Sequence, residues 1–195
     1  MDLSLTPDQT AILDALDRLV HPFETASLHQ TGLHLVEPSL DAALQEGGFL
    51  DVGFDPDLGL VSAALVAERL ARLPQASETA LSAILRPLLG ISDAATLVVV
   101  EEKHLRRPLP FLKAGATVVV VGDRVTSFIA DADQVKPEPE ALYGYPVAHL
   151  TSLPTERTAH DVTLEQFQTH WRVALAAEMA GLLAAALKSV CDHTS

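Results

Sequence analysis

The chain has 195 residues, 26 of them acidic and 13 basic, for a formal net charge of −13. That balance repels phosphate backbones and anionic lipid heads, which excludes nucleic acid and membrane as expected partners; a single cysteine excludes an intrachain disulfide and a thiolate metal knuckle. Apolar residues make up 48% but aromatics only 5%, so alanine, leucine and valine carry the mean hydropathy of +0.24, a composition suited to close-packed helices and to surface that awaits a partner.

Met1-Asp2 begins with neither a basic n-region nor a long apolar run, so no secretory signal is read and a reducing cytoplasm is the expected setting. Thr6-Pro7-Asp8-Gln9 forms a capping box with proline at the first helical position. Ile12, Leu13, Leu16, Leu19 and Val20 then recur at helical spacing until Pro22. A short helix is expected over 39–46, ended by Gly47-Gly48, and a stronger one over 59–73 with Val61, Ala64, Leu65, Leu70 and Leu73 inward. Another is expected over 77–89, broken near Pro87.

At Thr96 the pattern changes. Leu97-Val98-Val99-Val100 and Thr117–Val121 are β-branched runs, and Gly122-Asp123 before the alternating Arg124–Ile129 indicates a tight hairpin. Val147–Leu150 adds a strand after the proline-rich stretch 137–146. The last helix is expected over 164–190, roughly 40 Å at the standard rise, and its only charges after Trp171 are Arg172, Glu178 and Lys188. A helix apolar nearly all round calls for burial on several sides, and mid-span Glu178 weighs against a membrane span. The expected fold is therefore α+β, with a helical domain at 1–93, a small antiparallel β-domain at 94–155 and a long helix at 156–195 that starts a C-terminal bundle.

Chemistry-bearing patterns are few. There is no phosphate-cradling glycine loop and no serine elbow. His29, His34 and Glu37 lack helical spacing and a fourth ligand, so they read as a solvated loop and no metal is expected. Cys191 and His193 diverge around a helix and do not form a thiol–imidazole pair. Lys103, Arg106, Arg107 and Lys113 cluster in an otherwise acidic chain. They suit the phosphates of a nucleotide-like ligand such as coenzyme A, but a cationic cover on a sheet edge is the favoured reading. Glu178 is the one carboxylate expected to be buried, either poised as a base or held by an intrahelical or inter-subunit hydrogen bond, the latter favoured. No catalytic residue is assigned.

Several strings in order resemble the acyl-CoA dehydrogenase family. Asp2-Leu3-Ser4-Leu5-Thr6-Pro7-Asp8-Gln9 follows the family's common opening, and Gly48-Phe49-Leu50-Asp51-Val52-Gly53-Phe54 stands at its Gly-Leu-Leu-Gly-Leu-type string. Leu58-Gly59-Leu60 with Ala63–Arg72 looks like the next helix, with its Glu-Glu-Leu-Gly-Arg type of ending. Ala116–Ile129 is similar to the hairpin of compact members that act on steroid side chains, and Arg172–Gly181 looks like the helix that opens the C-terminal domain.

The resemblance implies a partial dehydrogenase architecture and a subunit of an FAD-dependent acyl-CoA α,β-dehydrogenation complex. It implies a dehydrogenase-like partner chain and acyl-CoA as partners. Departures shape that expectation. Val100-Glu101-Glu102-Lys103-His104 stands where active members carry a glycine-rich Thr-Glu-Pro-Gly-x-Gly-Ser-Asp loop. Trp171 stands at the helix-start position of the family's glutamate base, and the Trp-Ile-x-Asn strand and the Thr-Arg-x-Gln-Phe-Gly stretch are absent. The expectation is thus a subunit inactive on its own, with FAD held mainly by its partner. Leu175, Met179, Leu182 and Leu183 are the expected interface. Alternatives are a non-catalytic stabilising subunit or a fragment of a longer dehydrogenase.

Overall fold

The computed structural model describes residues 4–25, 35–92, 96–139 and 144–194. Its helices are α1 (Pro7–Val20), α2 (Pro38–Glu46), α3 (Gly59–Leu70), α4 (Ala80–Leu89) and α5 (Leu164–Thr194). Its strands are β1 (Leu97–Glu101), β2 (Leu109–Pro110), β3 (Thr117–Val121), β4 (Val125–Ile129), β5 (Val135–Pro137), β6 (Val147–Leu150) and β7 (Thr158–Ala159). The fold is α+β, as the change of pattern at Thr96 implies. The Thr6 capping box is formed, with the Gln9 amide N–H on the Thr6 hydroxyl and the Gln9 side chain on the Thr6 N–H.

Two sheets are present, in the orders β1-β3-β4-β7 and β2-β6-β5. The sheets are mixed rather than wholly antiparallel: β1 and β3 run parallel, Leu97 opposite Thr117 through Glu101 opposite Val121. The β3–β4 hairpin is antiparallel, with Val121 opposite Val125. Its loop therefore holds three residues, Gly122 to Arg124, one more than the expected tight turn, and Gly122 donates to the Arg124 carbonyl. Val118, Val119 and Val120 are all buried because both faces of β3 are covered. Val118 and Val120 pack with Leu109, Leu112 and Phe128. Val119 faces the other way, onto Leu85 and Leu89 of α4 and Phe167 of α5, so helices and sheet share a core.

The inward face of α3 is Ser62, Ala63, Val66, Ala67 and Leu70, whereas Val61 is exposed. The expected face is displaced because α5 crosses α3 closely. Where α5 crosses, the buried positions are Ala63 and Ala67, packed with Ala174, while Val66 and Leu70 join the core with Leu16 and Val20 of α1. The helix stops at Leu70 instead of Leu73, its last turn tightening through Arg72 N–H to the Arg69 carbonyl and Leu73 N–H to the Leu70 carbonyl.

The last helix runs on to Thr194, past the expected end at 190. It is buried on one side only, at Phe167, Ala174 and Gly181, a seven-residue spacing that keeps one seam against α3 and α4. Leu175, Met179, Leu182, Leu183, Leu187 and Val190 are exposed. By length and composition α5 is apolar enough to cross a membrane, but spanning one would strip the Phe167, Ala174 and Gly181 seam from the protein core.

Candidate functional site

The connector between α3 and α4 builds the site. Glu78 sits just before α4, and its carboxylate accepts from the Leu81 and Ser82 N–H groups, the Ser82 hydroxyl and the Leu97 N–H of β1. One side chain thus caps a helix and ties it to a strand 19 residues on. It also explains why α4 starts at Ala80 and not at Ser77. Burial pushes the Glu78 carboxyl up to about 7 against the pull of these donors, of which the Ser82 hydroxyl is the strongest.

Beside Glu78 lies a cavity of about 460 Å³. Its floor is Val98 and Val99 of β1, one wall is Leu70, Ala71 and Leu73 at the end of α3, and the other is Trp171, Leu175, Glu178 and Leu182 of α5. Phe111 and Tyr145 form its aromatic side, stacked with ring centroids 5.4 Å apart. Phe111 has φ of 57°, a left-handed conformation that a bulky residue adopts only when its surroundings hold it there. The N–H of Phe111 donates to the Pro146 carbonyl at 2.8 Å. Glu178 is half-buried on the α5 wall, and burial raises its pKa. The favoured expectation gave it an intrahelical or inter-subunit hydrogen bond; among the described residues it takes none within the chain.

A second cavity, about 360 Å³, lies on the other side of Glu78 and Phe111 and is more polar, with Asp41, Arg86 and Lys113 on its wall. Burial raises the Asp41 pKa against the nearby Lys113 charge. Arg86 is fully buried, its guanidinium 3.0 Å from Asp51 and bonded to the Ile91 and Ser92 carbonyls.

The four sequence-nominated cations do not share a cavity. Lys113 belongs to this polar cavity. Lys103 lines a shallow groove with Glu101, to which it is paired at 3.3 Å. Arg106 and Arg107 are exposed in the turn before β2 and line neither. Of the metal candidates, His29 and His34 lie outside the described residues. Glu37 caps α2 through the Ser39 N–H and hydroxyl, and those bonds lower its pKa. No group of three metal-ligating side chains occurs among the described residues. His193 Nδ1 turns back to the Ser189 carbonyl one helical turn away.

The sequence reading missed Gln75, Glu78 and Phe111. An acidic residue directly before an apolar helical run is a readable cap signal for Glu78; nothing local marks the other two. It also missed Ser127 and His160. His160 Nδ1–H donates to the Leu89 carbonyl, so Nε2 accepts the Ser127 hydroxyl at 2.8 Å, and the pair staples α4 to the sheet.

The end of β1, where the resemblance would place a flavin loop, does not fit that cofactor. Glu101 is paired with Lys103 and His104, and the Glu102 side chain occupies the space beside Gly122. Two carboxylates stand where a flavin needs backbone donors.

No protein-family model and no curated protein matches the sequence. In structure, the chain is similar to a chain of the ChsE4–ChsE5 complex from Mycobacterium tuberculosis. The TM-score is 0.62 at 16% identity, and the match covers 98% of this chain and 68% of that one. The likeness is one of fold, and it agrees with the acyl-CoA dehydrogenase-like architecture implied by the sequence strings.

Proposed function

We propose that the chain is an acyl-CoA dehydrogenase-like subunit that docks on a dehydrogenase-like partner and contributes one wall of an acyl pocket to an FAD-dependent α,β-dehydrogenation complex. The observation that carries this reading is the bare side of α5: Leu175, Met179, Leu182, Leu183, Leu187 and Val190 run along one helix with no cover. A contiguous apolar row of this kind marks a protein interface. That the structural neighbour comes from a complex of two components supports a second chain as the cover. The flavin and the base belong to the partner in this reading, because the end of β1 carries Glu101 and Glu102 and the family's base position carries Trp171.

Native mass spectrometry of the tagged protein from its own host tests the reading. The expected result is one defined complex containing a sequenced dehydrogenase-like chain and the mass of FAD. A flavin-free homo-oligomer overturns it. The acidic end of β1 also favours a second reading, a stabilising subunit that touches no substrate. A photoreactive acyl-CoA separates the two, because it labels this chain only when the cavity wall is part of the pocket.

A further inference from the structure

Among the described residues, the wall of the larger cavity carries two carboxylates, Glu78 and Glu178, and no lysine, arginine or histidine. Glu78 is saturated by four donors. Two acceptors on the same wall are not. The side-chain amide oxygen of Gln75 is buried and has no hydrogen-bond partner among the described residues. Glu178 likewise accepts no hydrogen bond among them, and its carboxylate is partly desolvated against Trp171, Leu175 and Leu182. A buried acceptor without a donor is costly, and a donor brought by a ligand removes that cost. The rest of the wall is aliphatic and aromatic, and about 460 Å³ lies within the range of small-molecule sites.

We infer that this cavity binds an apolar molecule whose buried end carries a hydrogen-bond donor, a hydroxyl or an amine, and that it rejects a buried anionic end. The donor meets Gln75 and Glu178 while the body packs on Val98, Phe111 and Trp171. An anionic end meets two carboxylates and, among the described residues, no cation in a desolvated space. The inference deepens the proposed function by naming the buried end of the acyl group, leaving the coenzyme A phosphates outside the cavity. Its test needs neither partner nor flavin.

Trp171 is the chain's single tryptophan and lines the cavity, so its fluorescence reports occupancy. The full chain is titrated at about pH 8, where carboxylates are ionised in solution, with decanol, decylamine and decanoate. Decanol and decylamine are expected to bind saturably, and decanoate at least about tenfold more weakly. Glu178→Gln narrows that gap to about threefold, and Gln75→Leu weakens decanol by about threefold or more. Equal binding of decanoate and decanol overturns the inference. So does the absence of saturable decanol binding to a chain with native circular dichroism, or an unchanged preference in both variants. Failure here leaves the docking of α5 standing, and failure to find a partner leaves this binding standing.

Discussion

Gly181 of α5 lies directly on the backbone carbonyl of Glu68 in α3, so that a methyl group at Gly181 would also stand 2.7 Å from the Ala71 Cβ. Alanine normally gains up to about 1 kcal/mol over glycine inside a helix. Here the obstacle is backbone, which does not swing aside. Gly181→Ala is therefore expected to lower stability by about 1–3 kcal/mol, measured as a shift of the urea midpoint.

Glu78 gives the protein a pH dependence of definite sign. Its pKa rises from an ordinary 4.5 to about 7 on folding because burial disfavours the charged form. The folded chain therefore holds this proton more tightly than the unfolded chain. The resulting stability is fully present below pH 4.5 and is lost as pH rises through about 7. The loss is on the order of 1–3 kcal/mol. Urea unfolding of the parent and of Glu78→Gln, at about pH 5 and about pH 8, is expected to show a flatter dependence in the variant. Glu178 is also raised by burial and supplies a remaining slope of the same sign.

Arg86 and Asp51 form an asymmetric pair, since their side chains are 1% and 54% exposed. Arg86→Met removes a buried guanidinium with its bonds to the Ile91 and Ser92 carbonyls and its ion pair with Asp51, and is expected to cost about 3 kcal/mol. Asp51→Asn leaves the two carbonyl bonds intact and costs about 1 kcal/mol or less. Equal losses in chemical denaturation of the two variants would contradict this division.

Leu182 and Leu183 are 54% and 68% exposed, so replacing both with aspartate removes little of the chain's own core. Its thermal midpoint is expected to move by no more than the equivalent of about 1 kcal/mol. In the proposed complex the same pair of charges faces a desolvated interface, and the hetero-oligomer is expected to disappear from size-exclusion chromatography.

The sequence made the local signals legible and left the crossings hidden. The Thr6–Gln9 capping box, the stop at Gly47 and the antiparallel pairing across Gly122 are written within a few residues and are formed, though the turn holds three residues rather than two and α4 runs on through Pro87. The parallel pairing of β1 with β3 is set by which valine run lies beside which, and Leu97–Val100 carries no mark of that choice. The buried face of α3 was misread because Ala63 and Ala67 look indifferent until α5 is laid across them. The cavity joins Gln75 and Glu78 to residues almost a hundred positions away on α5, a distance no spacing rule covers. Trp171 and Glu178, seven residues apart on α5, were separately singled out, and their common helical face was the readable clue.

Leu175 and Leu182 belong both to the cavity wall and to the uncovered side of α5. In the proposed complex the chain that covers α5 also roofs the cavity, which links assembly to occupancy by the proposed ligand. By reciprocity, the factor by which a bound small molecule tightens subunit assembly equals the factor by which assembly tightens the small molecule. In that complex, apparent affinity for the proposed ligand varies with protein concentration.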